Sequence, residues 1–138
     1  MPDMNEFNHN VVEEFRANDG KVGGMFEGAP MVLLTHRGAK SGPERTTPLM
    51  SRVGEDGTLF IFASKAGAPT NPDWFHNVVA TPQITVEYGS ESFPATAEPL
   101  AGSERDEVYA AQAQAWPQFA DYAAKTDRTI PVVALRRS

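Results

Sequence analysis

Apolar residues recur at a helical spacing near the start of the chain. Phe7, Val11 and Phe15 stand four residues apart with charged residues between them, which predicts an amphipathic helix over 4–18. The following stretch, 20–30, contains four glycines and a proline. That composition predicts a long loop between this helix and the rest of the chain.

Short apolar and branched runs predict strands along the remainder of the chain. The predicted strands cover 31–35, 46–53, 59–63, 83–88, 91–100 and 130–135, with helices at 72–80 and 103–115 and a short aromatic segment at 118–124. Turn residues at 54–57 and 89–90 indicate two hairpins. Because hairpins outnumber crossover connections, this order predicts an α+β fold, a mostly antiparallel sheet that closes as a barrel or split β-barrel with flanking helices.

Polar residues and prolines add local detail at the ends of these elements. Asn71 is expected to cap the helix over 72–80, and Ser103 with Asp106 has the spacing of a cap for the next helix. Pro94 and Pro99 indicate edge positions or bulges in the sheet.

Composition limits the classes of protein to consider. The chain has 138 residues, 41% of them hydrophobic, which predicts one soluble domain over 1–138: a helix within 1–19, a loop over 20–30, then barrel and helices over 31–138. There is no cysteine, and the three histidines fall in separate elements, so neither a disulfide nor a metal site is expected.

The longest apolar run has five residues. We therefore expect a cytoplasmic protein without a transmembrane segment.

Two properties are left open by the sequence. The first helix either packs on the barrel or contacts a membrane surface, and we favour packing because Glu6, Glu13 and Glu14 make its other face acidic. A monomer and a homodimer are both compatible with the sequence.

Charge is distributed unevenly along the chain. The net charge of −6 argues against nucleic acid as a partner. Between residues 30 and 70, however, the chain contains five basic residues and only three acidic ones. This local surplus favours a small anionic ligand, and ordinary scatter of surface charge is the alternative.

Two loops have the composition of an anion-binding site. The first, 35–48, contains two glycines with Lys40 and Arg45, and the second, 63–69, places Lys65 among small residues just before a helix. Plain solvated turns are the alternative for both loops. Because the chain shows no nucleophile motif, a bound cofactor is expected to supply any reactivity.

Four ordered motifs carry a resemblance to a known family. They are Gly38-x-Lys40-Ser41-Gly42-x-x-Arg45-x-x-Pro48-Leu49, Ala63-Ser64-Lys65-x-Gly67-Ala68, Asn71-Pro72-x-Trp74-x-x-Asn77 and Thr126-Asp127-Arg128-x-Ile130-Pro131. Together they closely resemble the deazaflavin-dependent nitroreductase family of actinobacteria. That family has a split β-barrel and binds coenzyme F420, an 8-hydroxy-5-deazaflavin with a phosphodiester and a glutamate tail.

The resemblance implies a set of cofactor contacts. Lys40 and Arg45 would contact the anionic tail and phosphate, and Pro48 and Met50 would face the ring. The remaining implied contacts are Ser41, Gly42, Ala63, Ser64, Lys65, Ala66, Gly67, Trp74 and Asn77.

The resemblance also implies an activity, hydride transfer from reduced coenzyme F420 to a quinone, a nitroaromatic, or a conjugated enone or lactone. Ser64 and Tyr122 are the implied catalytic residues, as candidate proton donors. Met50, Trp116, Phe119 and Tyr122 are the implied substrate contacts, and the alternative is that these aromatic residues only close the core. Some members have tyrosine where this chain has Met50, Trp116 and Phe119, so activation of nitroimidazoles is not implied. A non-catalytic deazaflavin carrier and an FMN-binding split-barrel protein are the alternative functions.

Overall fold

A computed structural model describes residues 4–18, 20–23, 30–37, 44–54, 56–64, 71–126 and 129–137 of the chain. The elements are α1 (Met4–Ala17), β1 (Met31–Arg37), β2 (Glu44–Val53), β3 (Leu59–Phe62), α2 (Asp73–Ala80), β4 (Gln83–Tyr88), β5 (Glu91–Pro99), α3 (Gly102–Ala115), α4 (Gln118–Lys125) and β6 (Val132–Arg137). The predicted order is confirmed, and each predicted boundary lies within two residues of the observed one. The side chains of 4–8, including Phe7, lie outside the described part.

The six strands form a closed antiparallel barrel in the order β1-β2-β3-β6-β5-β4. The two predicted hairpins, β2–β3 and β4–β5, are present, and long-range ladders from β3 to β6 and from β1 to β4 close the barrel. The expectation of an α+β barrel with flanking helices is therefore confirmed.

Alternation along the strands separates an inner from an outer face. Inward side chains from all six strands, with Trp74 and Val78 of α2, form the barrel core. Outside, Val11, Val12 and Phe15 of α1 pack on Met31 and Leu33 of β1. A third cluster joins α3 and α4 to the outer faces of β3 and β6. The helices thus cover two separate parts of the outer barrel surface, and α1 packs on the barrel as favoured from the sequence.

The two prolines of β5 lie where the strand has a ladder partner on one side. Pro94 pairs with Thr85 of β4 one residue before the ladder to β6 begins, and Pro99 pairs with Val133 of β6 beyond the end of the ladder to β4. Because proline cannot donate a backbone hydrogen bond, these are the positions that it tolerates. The expected edge strand is therefore absent, since β5 has a neighbour on both sides, and the prolines lie instead where one of its two ladders has no pair.

Both predicted side-chain caps are wrong. The N-cap position of α2 is Pro72, in an extended conformation, so the helix begins one residue later than Asn71 could cap it. The N-cap position of α3 is Ala101, which makes Ser103 the second helical residue. Neither helix has a side-chain hydrogen bond at its N-cap.

Candidate functional site

Strand β2 divides the predicted cofactor residues between two faces of the barrel wall. Its register with β1 pairs Arg45 with His36 and Leu49 with Val32, which are inward positions. The intervening residues Pro48 and Met50 therefore point outward. Six consecutive residues, 45–50, thus carry two kinds of side chain. Arg45 is an exposed guanidinium at the end of the strand, and Pro48 and Met50 are half-buried apolar side chains on its outer face.

The outer face of β2 lies between the two helical clusters. Met50 packs both against the α1 cluster and against the cluster under α3 and α4. Pro48 is also half-buried, and it pairs with Leu33, which α1 covers. These residues offer an apolar surface of the kind that a planar ring requires.

The edge of β2 that faces away from β1 lacks a strand partner over 44–50 among the described residues. β3 pairs with β2 only over 51–53, and the backbone N–H of Ser51 donates to the carbonyl of Pro30 on the β1 side. Backbone groups alternate in direction along a strand, so the N–H of Met50 points to the open edge. Pro48 has no N–H to leave unpaired at that edge.

The aromatic segment around α4 combines core and half-buried residues. Phe119 is 3% exposed, and its ring packs edge-on at 5.4 Å from Phe62 and at 5.4 Å from Tyr122. Trp116 and Tyr122 are half-buried and pack against the same cluster, as Met50 does. Phe119 therefore has the role of a core residue, whereas Trp116 and Tyr122 lie on the side of that cluster with access to solvent.

Helix α2 supplies the remaining described residues of the predicted cofactor set. Trp74 is buried in the barrel core, and Asn77 is buried with its amide directed at His36. Ala63 and Ser64 follow β3 directly, with Ala63 buried and Ser64 half-buried. The α2 residues therefore meet β1 and the Arg45 end of β2.

His36 is the residue of this region that the sequence analysis did not assign to the site. Its Nε2 lies 3.0 Å from Thr47 Oγ1, and its Nδ1 lies 3.1 Å from Asn77 Nδ2. Burial first, and the nearby positive charge of Arg45 second, lower the pKa of His36 below its ordinary value. A signal was present in the sequence: Val32, Leu34 and His36 alternate, which places the histidine on the inner face of an otherwise apolar strand.

Six predicted cofactor residues lie outside the described part of the chain, namely Lys40, Ser41, Gly42, Lys65, Ala66 and Gly67. Among the residues that are described, no group of three histidine or carboxylate side chains could hold a metal ion. The helices of that same part include none with the length and apolarity needed to span a bilayer.

Comparison with known proteins gives one consistent result. The profile of the F420H(2)-dependent quinone reductase family matches residues 7–137. An F420H(2)-dependent quinone reductase of Mycobacterium tuberculosis strain H37Rv is 35% identical over 132 residues, which cover 89% of this chain and 85% of that protein.

Two solved structures resemble the barrel closely. An F420-H2 dependent reductase (FDR-A) has 44% sequence identity and a TM-score of 0.70, over 78% of this chain and 94% of that chain. A protein described as a domain-swapped dimer has 40% identity and a TM-score of 0.71, over 93% of both chains.

Proposed function

The chain belongs to the F420H(2)-dependent quinone reductase family, and from this premise we propose that it reduces a quinone with hydride supplied by reduced coenzyme F420. The observation that supports the proposal is the arrangement of β2, which places a cationic side chain, Arg45, at one end and an apolar outer face, Pro48 and Met50, just beyond it. A cofactor with an anionic tail and a planar ring needs both.

The described residues fit the two chemically different parts of coenzyme F420. Arg45 is exposed and has no carboxylate partner among the described ion pairs, so its guanidinium is available to a phosphate or carboxylate group. Pro48 and Met50 would support the ring, and the N–H of Met50 at the open edge of β2 would donate to a ring carbonyl. Lys40 and Lys65 would add cationic contacts from the two loops that carry the sequence motifs.

Bound reduced coenzyme F420 supplies a hydride from C5 of its ring. The protein has to hold the ring and the acceptor with the reacting atoms roughly 3 to 3.5 Å apart. We propose that Met50 fixes the ring on β2, while Trp116 and Tyr122 line the space for the acceptor beside the α3–α4 cluster. Phe119 supports that wall from the core and does not contact the acceptor.

Reduction of a quinone to a hydroquinone takes one hydride and one proton. The hydride brings both electrons, and the proton comes from solvent or from a hydroxyl at the site. Tyr122 and Ser64 are the proposed donors, because both are half-buried hydroxyl-bearing residues next to the elements that line the site. Nitroaromatics and conjugated enones or lactones accept the same hydride and are proposed as further substrates.

Family membership favours the enzyme over the two alternatives left by the sequence, a deazaflavin carrier and an FMN-binding protein. For assembly we propose a homodimer, because the solved relative that spans 93% of this chain is a domain-swapped dimer.

A fluorescence titration with oxidised coenzyme F420, and in parallel with FMN, tests the proposal. We expect the protein to bind coenzyme F420 tightly and FMN weakly or not at all. When menadione is added to the complex with reduced coenzyme F420, we expect the cofactor to be oxidised. Binding without oxidation would indicate a carrier, and absence of binding would refute the proposed function.

Arg45→Gln tests the charge assignment. We expect it to weaken binding about five- to tenfold and to reduce the salt dependence of the affinity, because one ion contact is lost. Arg136→Gln is the matched control: Arg136 pairs with Glu98 and lies near Asp56, in the turn at the opposite end of β2. Equal losses in both variants would rule out a specific contact. Lys40→Met applies the same test to the first motif.

A further inference from the structure

A histidine lies on the inner face of the barrel, at the end of β1. His36 is 3% exposed, although Val32 and Leu34, the inward residues before it, are apolar. A buried imidazole whose ring nitrogens lacked hydrogen-bond partners would destabilise the folded protein. Both ring nitrogens of His36 are therefore expected to have hydrogen-bond partners inside the protein.

Both ring nitrogens of His36 have partners from other elements. Asn77 Nδ2 donates to Nδ1 over 3.1 Å, so Nδ1 carries no proton. The proton is then on Nε2, which donates to Thr47 Oγ1 over 3.0 Å. One neutral tautomer thus links α2, β1 and β2 through two directional bonds.

These bonds fix an arrangement that apolar packing leaves adjustable. The other buried residues of α2, Trp74 and Val78, hold the helix on the barrel core by non-directional contacts. The bond from Asn77 to His36 sets how far the helix is rotated and translated on that surface. The backbone ladder between β1 and β2, in which His36 pairs with Arg45, carries this constraint to β2, and the bond to Thr47 steadies the imidazole.

We propose that His36 is a positioning residue of the cofactor site, which sets the place of Asn77 on α2 relative to Arg45 on β2. The proposal rests on the proposed function, in which Arg45 contacts the cofactor, and on the resemblance, which implies Asn77 as a further contact. His36 itself is too deeply buried to touch the cofactor, and it acts through these two neighbours.

The charge state of His36 follows from its surroundings. Arg45 lies directly across the strand pair, and the other titratable side chains at the ends of these strands and on α2 are Arg37 and Glu44, 3.6 Å apart, and the exposed Asp73 and His76. Burial and Arg45 keep the pKa of His36 low. An anion bound to Arg45 would offset that positive charge, so cofactor binding is expected to raise the pKa of His36.

Two substitutions separate the two bonds. An asparagine side chain places its amide near the position of Nδ1, and a glutamine places its amide near that of Nε2. His36→Asn keeps an acceptor for Asn77, and we expect its Kd for oxidised coenzyme F420 to stay within about threefold of wild type. His36→Gln loses that acceptor, and we expect the Kd to rise about tenfold, the effect of one buried hydrogen bond.

The control is Thr35→Val. Thr35 Oγ1 and Thr46 Oγ1 form another 3.0 Å side-chain hydrogen bond across the same two strands. This bond lies on the outer face and does not involve α2. We expect a loss of thermal stability but an unchanged Kd. If affinity falls equally in His36→Asn and His36→Gln, or falls in proportion to Tm across all three variants, the proposal is refuted.

Nitrogen NMR of the histidine side chains gives a readout that does not depend on turnover. In the ligand-free protein we expect His36 to be neutral at pH 7.5 with its proton on Nε2, and its pKa to rise when oxidised coenzyme F420 is added. A proton on Nδ1, or a pKa unchanged in the saturated complex, would overturn the proposal. Failure of the wild-type protein to bind coenzyme F420 would instead overturn the proposed function.

Discussion

A neutral buried histidine makes the stability of the protein depend on pH. The pKa of His36 is lowered in the folded protein, whereas in the unfolded chain it is about 6.5. Below pH 6.5 the unfolded chain therefore binds a proton that the folded protein does not. Stability is fully retained above this pH and falls as the pH is lowered from 6.5 towards the folded pKa.

We therefore predict that lowering the pH from 7.5 to 5 destabilises the wild-type protein more than His36→Asn. The extra slope is at most about 1.4 kcal/mol per pH unit, the value for uptake of one proton. Urea unfolding at several pH values measures it, and subtracting the two proteins removes the contribution of groups that they share. Parallel curves would show that His36 titrates alike in the folded and unfolded states.

At the residue scale, the sequence assigns some side chains to the proposed site and leaves others out. Arg45, Pro48 and Met50 were assigned to the site through a motif, and their opposite directions on β2 follow from strand alternation. For His36, strand alternation with Val32 and Leu34 indicates only an inward position and gives no partner for the imidazole. Its role depends on Asn77, which lies 41 positions away in the chain and whose approach is decided by tertiary packing.

At the scale of elements, α1 is fixed to the barrel by its apolar face and by contacts at its end. Arg16 pairs with Glu87 of β4 at 2.8 Å, and both side chains are partly exposed. Next to this pair, the chain turns at Gly20 against Gly89 in the β4–β5 turn. A Cβ atom on Gly20 would lie 2.7 Å from Gly89 Cα, and Gly20 has a φ of +94°.

We predict that Gly20→Ala lowers the free energy of unfolding by about 2 to 3 kcal/mol, from the unfavourable φ and the backbone clash together. Gly57→Ala is the matched control: its φ is +87°, yet a Cβ there meets nothing within 4 Å. We expect that control to cost only about 1 to 2 kcal/mol. Equal costs in chemical denaturation would show that the approach of Gly20 to Gly89 is not a tight contact in solution.

Element type and order were predictable because hydrophobic periodicity is a local property of the chain. The errors concern helix starts. Asn71 and Ser103 have the side chains of caps, but the backbone enters each helix at Pro72 and Ala101 instead. Where a helix begins depends on how the preceding loop leaves the barrel, and the residue types at its start do not encode that path.

At the scale of the whole molecule, the sequence predicted a barrel but not its ladders. The hairpin turns identified β2–β3 and β4–β5, whereas the pairing of β3 with β6 follows no local signal. The helices α3 and α4 between β5 and β6 cover the outer faces of β3 and β6, and this covering brings the last strand next to β3.

We predict that the purified protein is a homodimer of twice 15.0 kDa. If segments are exchanged, as in the domain-swapped relative, dissociation requires local unfolding, so dilution should not yield monomer within minutes. Size-exclusion chromatography with light scattering, repeated after dilution and incubation, measures this. A single-chain mass at every concentration would contradict the prediction.

The ladders that close the barrel also govern how the chain reaches its fold. Strand β6 joins β3 to β5, and its register pairs Leu59 with Leu135, 76 positions further along the chain. Contacts between such distant residues slow folding, because a large loop must close before they stabilise anything. During synthesis, β3 and β5 are made before β6, the strand that pairs with both of them. The barrel can therefore close only once β6 has been made, and until then β3 and β5 expose strand edges that a chaperone could protect.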